Sequence, residues 1–174
     1  MSFKSYLQFL LKSTNQHGVH SPFVYLFVTQ CLYNKQLATK KELIAPTPTL
    51  STKQQLLLLK IIRYFSIKTI FTDDPTLSKL IPPKDHCTLT PHLSTTPLPQ
   101  LLFINHPTQQ ATTYLSYMHN DSILIINNIH QEGTNKKLWQ QLISSSKVTA
   151  HISVYHQGYI FIRKEQPKQA FFIR

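Results

Sequence analysis

Glycine is almost absent from the middle of this chain, and that absence restricts the kinds of site the fold can build. The three glycines are Gly18, Gly133 and Gly158, so none lies in the long stretch between the first two. A backbone approaches a nucleotide-type cofactor closely only where no Cβ intervenes, so dinucleotide and adenosyl sites open with glycine-rich turns. The first candidate strand, residues 69–71, is followed instead by Thr72-Asp73-Asp74-Pro75.

Length and composition predict one globular unit with a basic surface. The chain has 174 residues, of which 41% are hydrophobic and only 14% charged. Its 18 basic and 7 acidic residues give a net charge of +11, which favours contact with phosphates or acidic proteins. Cys31 and Cys87 form no CxxC pair, the N-terminus does not resemble a signal peptide, and the apolar runs are too short to span a membrane. We therefore expect a soluble, cytoplasmic protein that does not enter a membrane.

Hydrophobic periodicity predicts alternating helices and strands. Helices are expected at residues 3–11, 22–34, 52–65, 108–119 and 135–145, and strands at 68–72, 87–90, 101–105, 122–127, 148–155, 159–163 and 170–173. Ser21-Pro22 and Ser51 have the character of helix N-caps. The strands at 148–155 and 159–163 are expected to pair antiparallel around a turn at Gln157-Gly158. The pattern predicts an α/β fold with a mostly parallel sheet.

Three segments carry long motifs. Residues 17–25 are HGVHSPFVY, residues 121–130 are DSILIINNIH, and residues 158–174 contain FIRKEQ and end in FIR. In that order they resemble the HGxHSPFVY signature, the DSxxIxDDIHWS segment and the GxVFFRKEQ…HFxIR ending of Bacteroidota-type class I S-adenosylmethionine-dependent methyltransferases. Weaker similarity at 50–65 and 102–106 extends the resemblance, and residues 72–99 match nothing in that family.

The resemblance implies a Rossmann-like methyltransferase sheet, mostly parallel, with an antiparallel C-terminal hairpin. It also divides the chain into a helical N-terminal extension with a linker, residues 1–49, and a methyltransferase-like domain, residues 50–174. The stretch between residues 71 and 101 is too short for two full strand–helix units, because one βαβ crossover takes about 30 residues. We therefore expect a sheet reduced in strand number.

The same resemblance shows where this chain departs from the family. The glycine-rich donor turn corresponds to Thr72, Asp73 and Asp74, where side chains crowd the methyl donor and carboxylates face its carboxylate. No candidate second strand ends in the acid that would hold the donor's ribose. Related metal-dependent O-methyltransferases hold a divalent ion through acids at positions that here correspond to Asn105, Asn127 and Asn128. Neutral amides bind hard cations weakly by themselves, so no metal is expected.

Each candidate site has a structural alternative. Asp73 and Asp74 are either a remnant of the donor contact or an ordinary turn. Asn105, His106, Asn127, Asn128 and His130 are expected to gather beyond the carboxyl ends of two central strands, where open α/β sheets bind ligands. Within that group His130 is a weak candidate for a catalytic base, and the alternative is a polar patch left after the acids were lost.

Two further groups concern binding. His17, His20 and Ser21 surround a helix start, where they either contact an anionic ligand or cap and pack the helix. The basic residues Lys136, Lys137, Arg163, Lys164, Lys168 and Arg174 either form a face for RNA or an acidic partner, or are simply solvated.

These features together predict a catalytically inactive methyltransferase-like protein that acts as a binding module. No cofactor is expected, and S-adenosylmethionine would bind only if activity is retained. A protein partner or a second copy of the chain would cover the sheet edge exposed by a missing unit. One alternative is an active S-adenosylmethionine-dependent (O-)methyltransferase with an atypical donor site. Another is a basic RNA- or ribosome-associated protein.

Overall fold

The computed structural model describes residues 3–43, 49–131 and 133–174, so residues 44–48 of the predicted linker lie outside the described residues. The helices are α1 (Phe3–Lys12), α2 (Pro22–Leu26, continued by a π-helical stretch, Phe27–Leu32), α3 (Thr52–Tyr64), α4 (Ala111–Ser116) and α5 (Thr134–Ser144). Short 3₁₀ turns lie at Gln16–Gly18, Lys40–Glu42, Pro75–Lys79 and Pro83–Asp85. The predicted caps are confirmed: the Ser21 hydroxyl accepts the N–H of Val24, and Ser51 forms a capping box with Gln54.

Seven strands of the described residues form one sheet. They are β1 (Thr69–Thr72), β2 (Thr88–Thr90), β3 (Leu101–Ile104), β4 (Ile123–Asn127), β5 (Ala150–Ser153), β6 (Gln157–Phe161) and β7 (Gln169–Phe172), in the order β2-β1-β3-β4-β6-β5-β7. Only β6 runs antiparallel to its neighbours, β4 and β5. The fold is mixed α/β with a mostly parallel sheet, as predicted, and it is compatible with a Rossmann-like arrangement.

The prediction of a sheet reduced in strand number is wrong, because the described residues form a seven-stranded sheet; the connections between strands are shortened instead. β1 connects to β2 through two 3₁₀ turns, Pro75–Lys79 and Pro83–Asp85, and β2 has only three residues. β2 and β3 both pair with β1 in parallel. Short 3₁₀ turns therefore replace a full crossover helix between β1 and β2. The seventh strand, β7, comes from the C-terminal segment.

The sheet separates two apolar cores. Alternate residues of each strand point to opposite faces, so Ile70, Phe103 and Ile125 join α2 and α3, while Leu102 and Ile126 face α4 and α5. The central strands β3 and β4 are buried on both sides, as parallel strands covered by helices must be. The carboxyl ends of β1, β3 and β4 consequently meet at one edge of this three-layer core.

The hairpin turn lies earlier than predicted. Gln157 and Gly158 belong to β6, and the chain reverses through residues 154–156, where Tyr155 adopts a left-handed φ of 68°. Gly158 is needed for packing instead of for turning: a Cβ at this position would lie 2.6 Å from Cε3 of Trp139. A glycine inside a strand often marks such a close approach.

We expect Gly158→Ala to destabilise the fold by roughly 1–3 kcal/mol, because the new methyl group overpacks the Trp139 ring. Urea unfolding followed by circular dichroism would measure the change. The double variant Gly158→Ala/Trp139→Leu serves as the control, since the smaller side chain makes room for the methyl. Strictly additive effects of the two substitutions would contradict this packing account.

His151 lies under the same tryptophan. Its ring meets Trp139 edge-on at 5.7 Å, and its Nδ1 is buried without a hydrogen-bond partner among the described residues. Burial, helped by nearby Lys168, lowers the pKa of His151 to about 4. The unfolded chain therefore takes up this proton before the folded chain does, and protonation favours unfolding.

The stability supplied by neutral His151 should be complete above its unfolded pKa, near ~6.5, and lost as the pH falls toward the folded value. We expect the free energy of unfolding of His151→Leu to fall about 1–3 kcal/mol less than that of the wild type between pH 7 and pH 4. Urea titrations at both pH values would show the difference. The matched control is His17→Gln, which replaces a histidine at an exposed site. Identical curves for wild type and His151→Leu would refute the assignment.

Candidate functional site

A row of hydrogen-bonded polar side chains crosses the carboxyl edge of the sheet. It begins at Asp74, after β1, and continues through Asn105, after β3, and Asn127, at the end of β4. It ends with Gln157, the first residue of β6, and the hydroxyl of Tyr159. Asn127 and Gln157 are fully buried, so water cannot reach their amide groups. The bonds within the row satisfy these buried polar groups instead.

Asp74 anchors one end of the row. Its Oδ1 accepts bonds from the N–H and hydroxyl of Thr76 at 2.9 and 2.6 Å, and its Oδ2 accepts the hydroxyl of Thr49 at 2.7 Å. Burial raises the pKa of Asp74, but the bonds from Thr76 and Thr49 outweigh that effect and hold the pKa below its usual value. Asp74 is therefore an ionised N-cap for the Pro75–Lys79 turn rather than a free base.

Asp73 fastens the turn after β1 to the end of β3. Its two carboxylate oxygens accept the backbone N–H groups of Asn105 and His106 at 2.7 and 2.8 Å. Burial raises the pKa of this carboxyl group, against the lowering effect of those two bonds. The two backbone N–H groups that follow β3 are thus already bonded to the Asp73 side chain. We refer to this pair of bonds as the Asp73 strap.

The asparagines form bonds with each other. Asn127 donates through Nδ2 to Oδ1 of Asn105 at 3.2 Å, and Gln157 donates to Oδ1 of Asn127 at 2.7 Å. Asn135, from the first turn of α5, donates to the carbonyl oxygens of Asn105 and Asn127 at 2.9 and 2.8 Å. The side-chain oxygens that would face a cation therefore already accept bonds from protein N–H groups.

A polar cleft of about 560 Å³ opens beside this row. His106 and Asn128 line it together with Asn105, Asn135 and Thr134 at the start of α5. Asn128 takes a left-handed φ of 54°, which turns the chain away from β4 and makes Asn128 part of the cleft lining. Four of the five residues expected to gather here, Asn105, His106, Asn127 and Asn128, do lie together.

His130 lies apart from that cleft. Its ring stacks on Tyr155 with centroids 5.0 Å apart and meets the edge of Phe9, from α1, at 6.2 Å. Burial, followed by the charges of His156 and Lys136, lowers the pKa of His130. Its Nε2 is buried and has no hydrogen-bond partner in the described part of the chain. The structure therefore places His130 in an aromatic cluster beneath α1.

A second cleft lies between the ends of β1 and β2. Its volume is about 380 Å³, and its lining includes Thr72, Asp73 and Asp74 on one side and Leu89, Thr90 and Pro91 on the other. β2 is followed by Pro91-His92, so no acid stands at its end. The cleft thus borders the Asp73–Asp74 turn but offers no carboxylate from β2.

The N-terminal motif packs against the C-terminal one. The Ser21 hydroxyl donates to Oε1 of Gln166 at 3.0 Å while it caps α2. Phe23 contacts Phe161 edge-on at 5.0 Å, and the guanidinium of Arg163 lies 4.6 Å from the centre of the Phe23 ring. These contacts form the clasp between the two motifs. They give Ser21 a capping and packing role.

The two histidines of the N-terminal motif remain at the surface. His17 is exposed in the turn Gln16–Gly18, where its N–H bonds to the Asn15 side chain. His20 is also exposed and lines a groove beside β7. Neither histidine joins the row at the carboxyl edge of the sheet.

The predicted basic residues do not act alike. Arg163 pairs with Asp121 at 3.6 Å as well as with Phe23. Lys168 bonds to the carbonyls of Ser144 and Ser145, at the end of α5, where a cation is favourable. Lys137, Lys164 and Arg174 are exposed and Lys136 is half-buried. Arg163 and Lys168 thus have structural partners within the fold.

Four members of the site, Thr49, Asn135, Gln157 and Tyr159, were not expected from the sequence. Gln157 was assigned to a turn, and the other three carry no motif that distinguishes them from ordinary surface or core residues. Only Gln157 and Tyr159 carry a signal in the sequence: they are two residues apart, which places both side chains on the same face of a strand.

The chain matches no protein-family model, no curated protein and no solved structure. Among residues 3–43, 49–131 and 133–174, no helix combines the length and apolar character needed to cross a bilayer. In the same residues no three His, Cys, Asp or Glu side chains are grouped as metal ligands.

We expect Asn105→Asp to destabilise the protein by about 1–3 kcal/mol at pH 7, because a new carboxylate would face Oδ2 of Asp74 in a buried site. Such a carboxyl group has a raised folded pKa, so its cost grows as the pH rises through the unfolded value near ~3.9 and shrinks in acid. Urea unfolding at pH 7 and pH 4 would show the trend. Asn34→Asp is the control, since Oδ1 of Asn34 only accepts the N–H of Gln36, which Asp can also do. An equal cost at both pH values would contradict the charge argument.

Proposed function

We propose that this protein is a methyltransferase-like binding module that does not transfer methyl groups. The Asp73 strap is the observation that carries this proposal. In an open α/β sheet a ligand binds outside the carboxyl ends of the strands, and in this chain a side chain already bonds the N–H groups at the end of β3.

The charge of the turn after β1 supports the same view. Asp73 and Asp74 are adjacent, and the carboxylates of both accept hydrogen bonds within the site; Asp74 is buried and Asp73 is half-buried. A methyl donor with its own carboxylate would meet like charge there, in a region where burial strengthens electrostatic interactions. The turn after β1 contains no glycine, so its side chains also keep a donor from approaching the backbone closely.

The amide row supports the absence of metal-assisted chemistry. Asn105 and Asn127 occupy the positions that correspond to metal-binding acids in the resembled family, and each gives its side-chain oxygen to a protein donor. Magnesium and calcium are held mainly by anionic oxygen, and freeing these amides would cost buried hydrogen bonds.

The topology supports descent from a methyltransferase frame. Parallel strands β2, β1, β3 and β4 stand in that order, and the antiparallel β6 follows β4. The resembled family has a Rossmann-like sheet with an antiparallel last strand. Cys31 and Cys87 are free thiols, which fits the reducing cytoplasm we propose as its compartment.

One observation favours a second candidate, an active S-adenosylmethionine-dependent enzyme with an atypical donor site. The cleft between β1 and β2, about 380 Å³, lies within the size range of small-molecule sites. It borders Thr72 and Asp73, the positions that correspond to the donor turn. In this candidate the adenosine would lie between Leu89 and Pro75, and the acids would contact the donor's ammonium group.

Calorimetry with S-adenosylmethionine, S-adenosylhomocysteine and adenosine separates the two candidates. We expect no saturable heat from either donor-type ligand up to about 1 mM, because both carry the carboxylate that the turn repels. Binding of adenosine alone would show that the cleft accepts the ring and that charge excludes the rest. Micromolar binding of S-adenosylmethionine, or transfer of its labelled methyl group, would overturn the proposal in favour of the enzyme.

A further inference from the structure

β7 is an edge strand whose outer side is nearly unpaired. Its inner side pairs with β5 in parallel. On its outer side the described residues supply a single bridge, between Thr14 and Ile173. An open strand edge presents a row of N–H and C=O groups that can receive another extended chain.

The pattern of bonds shows which groups point outward. The N–H groups of Gln169 and Ile173 bond inward, to the carbonyls of Thr149 and Ser153, both at 2.8 Å. The period of two along a strand then directs the N–H and C=O of Ala170, and the N–H of Phe172, away from β5. The C=O of Phe172 already accepts the N–H of Thr14 at 2.8 Å. The chain itself thus demonstrates that this edge accepts extended backbone.

A groove of about 380 Å³ runs along the outward groups. Residues 169–172 of β7 form one wall, and Lys12, Thr14, Gly18 and His20 form the opposite one. Lys12 and His20 are exposed, and none of these lining residues is acidic. The groove therefore combines unpaired backbone with positive charge, on a protein whose net charge is +11.

We propose that this groove binds an extended acidic peptide of a partner protein, which pairs with Ala170 and Phe172 and places carboxylates against Lys12 and His20. This mode is strand addition, in which backbone bonds supply affinity and side chains supply specificity. The inference rests on the proposed function, since it names the partner class of the binding module. A second copy of this chain is a poorer occupant, because two molecules with the same large positive charge repel each other.

The experiment uses a fluorescein-labelled peptide of about six residues with alternating Glu and Val, a length typical of strands. Fluorescence anisotropy would measure its affinity for the whole protein. We expect saturable binding to the wild type and at least a ~10-fold weaker affinity for Ala170→Pro, which removes one outward N–H. The matched control, Ala170→Val, keeps that N–H and should bind within about twofold of the wild type.

Charge is tested separately from backbone pairing. Lys12→Glu/His20→Glu changes only exposed side chains, so the fold should persist by circular dichroism even if Ala170→Pro does not fold. We expect at least a ~10-fold loss with this variant, and a similar loss when Lys replaces Glu in the peptide. No saturable binding to the wild type, or equal binding by all variants, would overturn the inference.

Two other results would also overturn it. Displacement of the peptide by a single-stranded RNA would assign the groove to nucleic acid. A wild-type dimer that becomes monomeric in Ala170→Pro would assign it to a second copy of the chain. Both outcomes are independent of the adenosylmethionine calorimetry, so failure here and failure of the proposed function are distinguishable.

Discussion

The Asp73 strap is the interaction on which the site depends. Two hydrogen bonds accepted by one carboxylate join the turn after β1 to the end of β3, and they need a side chain in a turn that contains no glycine. Beside that carboxylate, Asp74 caps the next turn and accepts a bond from the Asn105 side chain. Asn105 in turn accepts a bond from Asn127. Hydrogen bonding within the protein thereby uses the strand ends at which open α/β sheets meet their ligands.

The row also explains how a sheet with few crossover helices remains well ordered. Buried polar groups stabilise a structure when each has a partner, and a half-satisfied network would be costly. Asn127 receives a bond from Gln157, and Asn135 bonds the carbonyls after β3 and β4. Side chains from α5 and β6 thus join the ends of β3 and β4, and the turn after β1 is joined to β3 through Asp73 and Asp74.

Much of the fold was predictable, because strand and helix periods differ and the caps at Ser21 and Ser51 are local signals. Turn and site details were less accessible. Gln157-Gly158 has the composition of a turn, and only the position of Trp139, distant in sequence, shows that the glycine makes room for a ring. The sequence places His130 two residues after Asn128, yet in the fold Phe9 of α1 contacts the His130 ring. Such long-range contacts leave no trace in local patterns.

The clasp between Ser21 and Gln166 joins residues 145 positions apart. During synthesis, residue 21 leaves the ribosome long before residue 166 is made. The hydrogen bond between Ser21 and Gln166 therefore forms only after most of the chain has been synthesised. Closing such a large loop costs chain entropy and slows folding. Until then Phe23 lacks its aromatic contact with Phe161, and exposed apolar side chains of this kind make unfinished chains prone to aggregation.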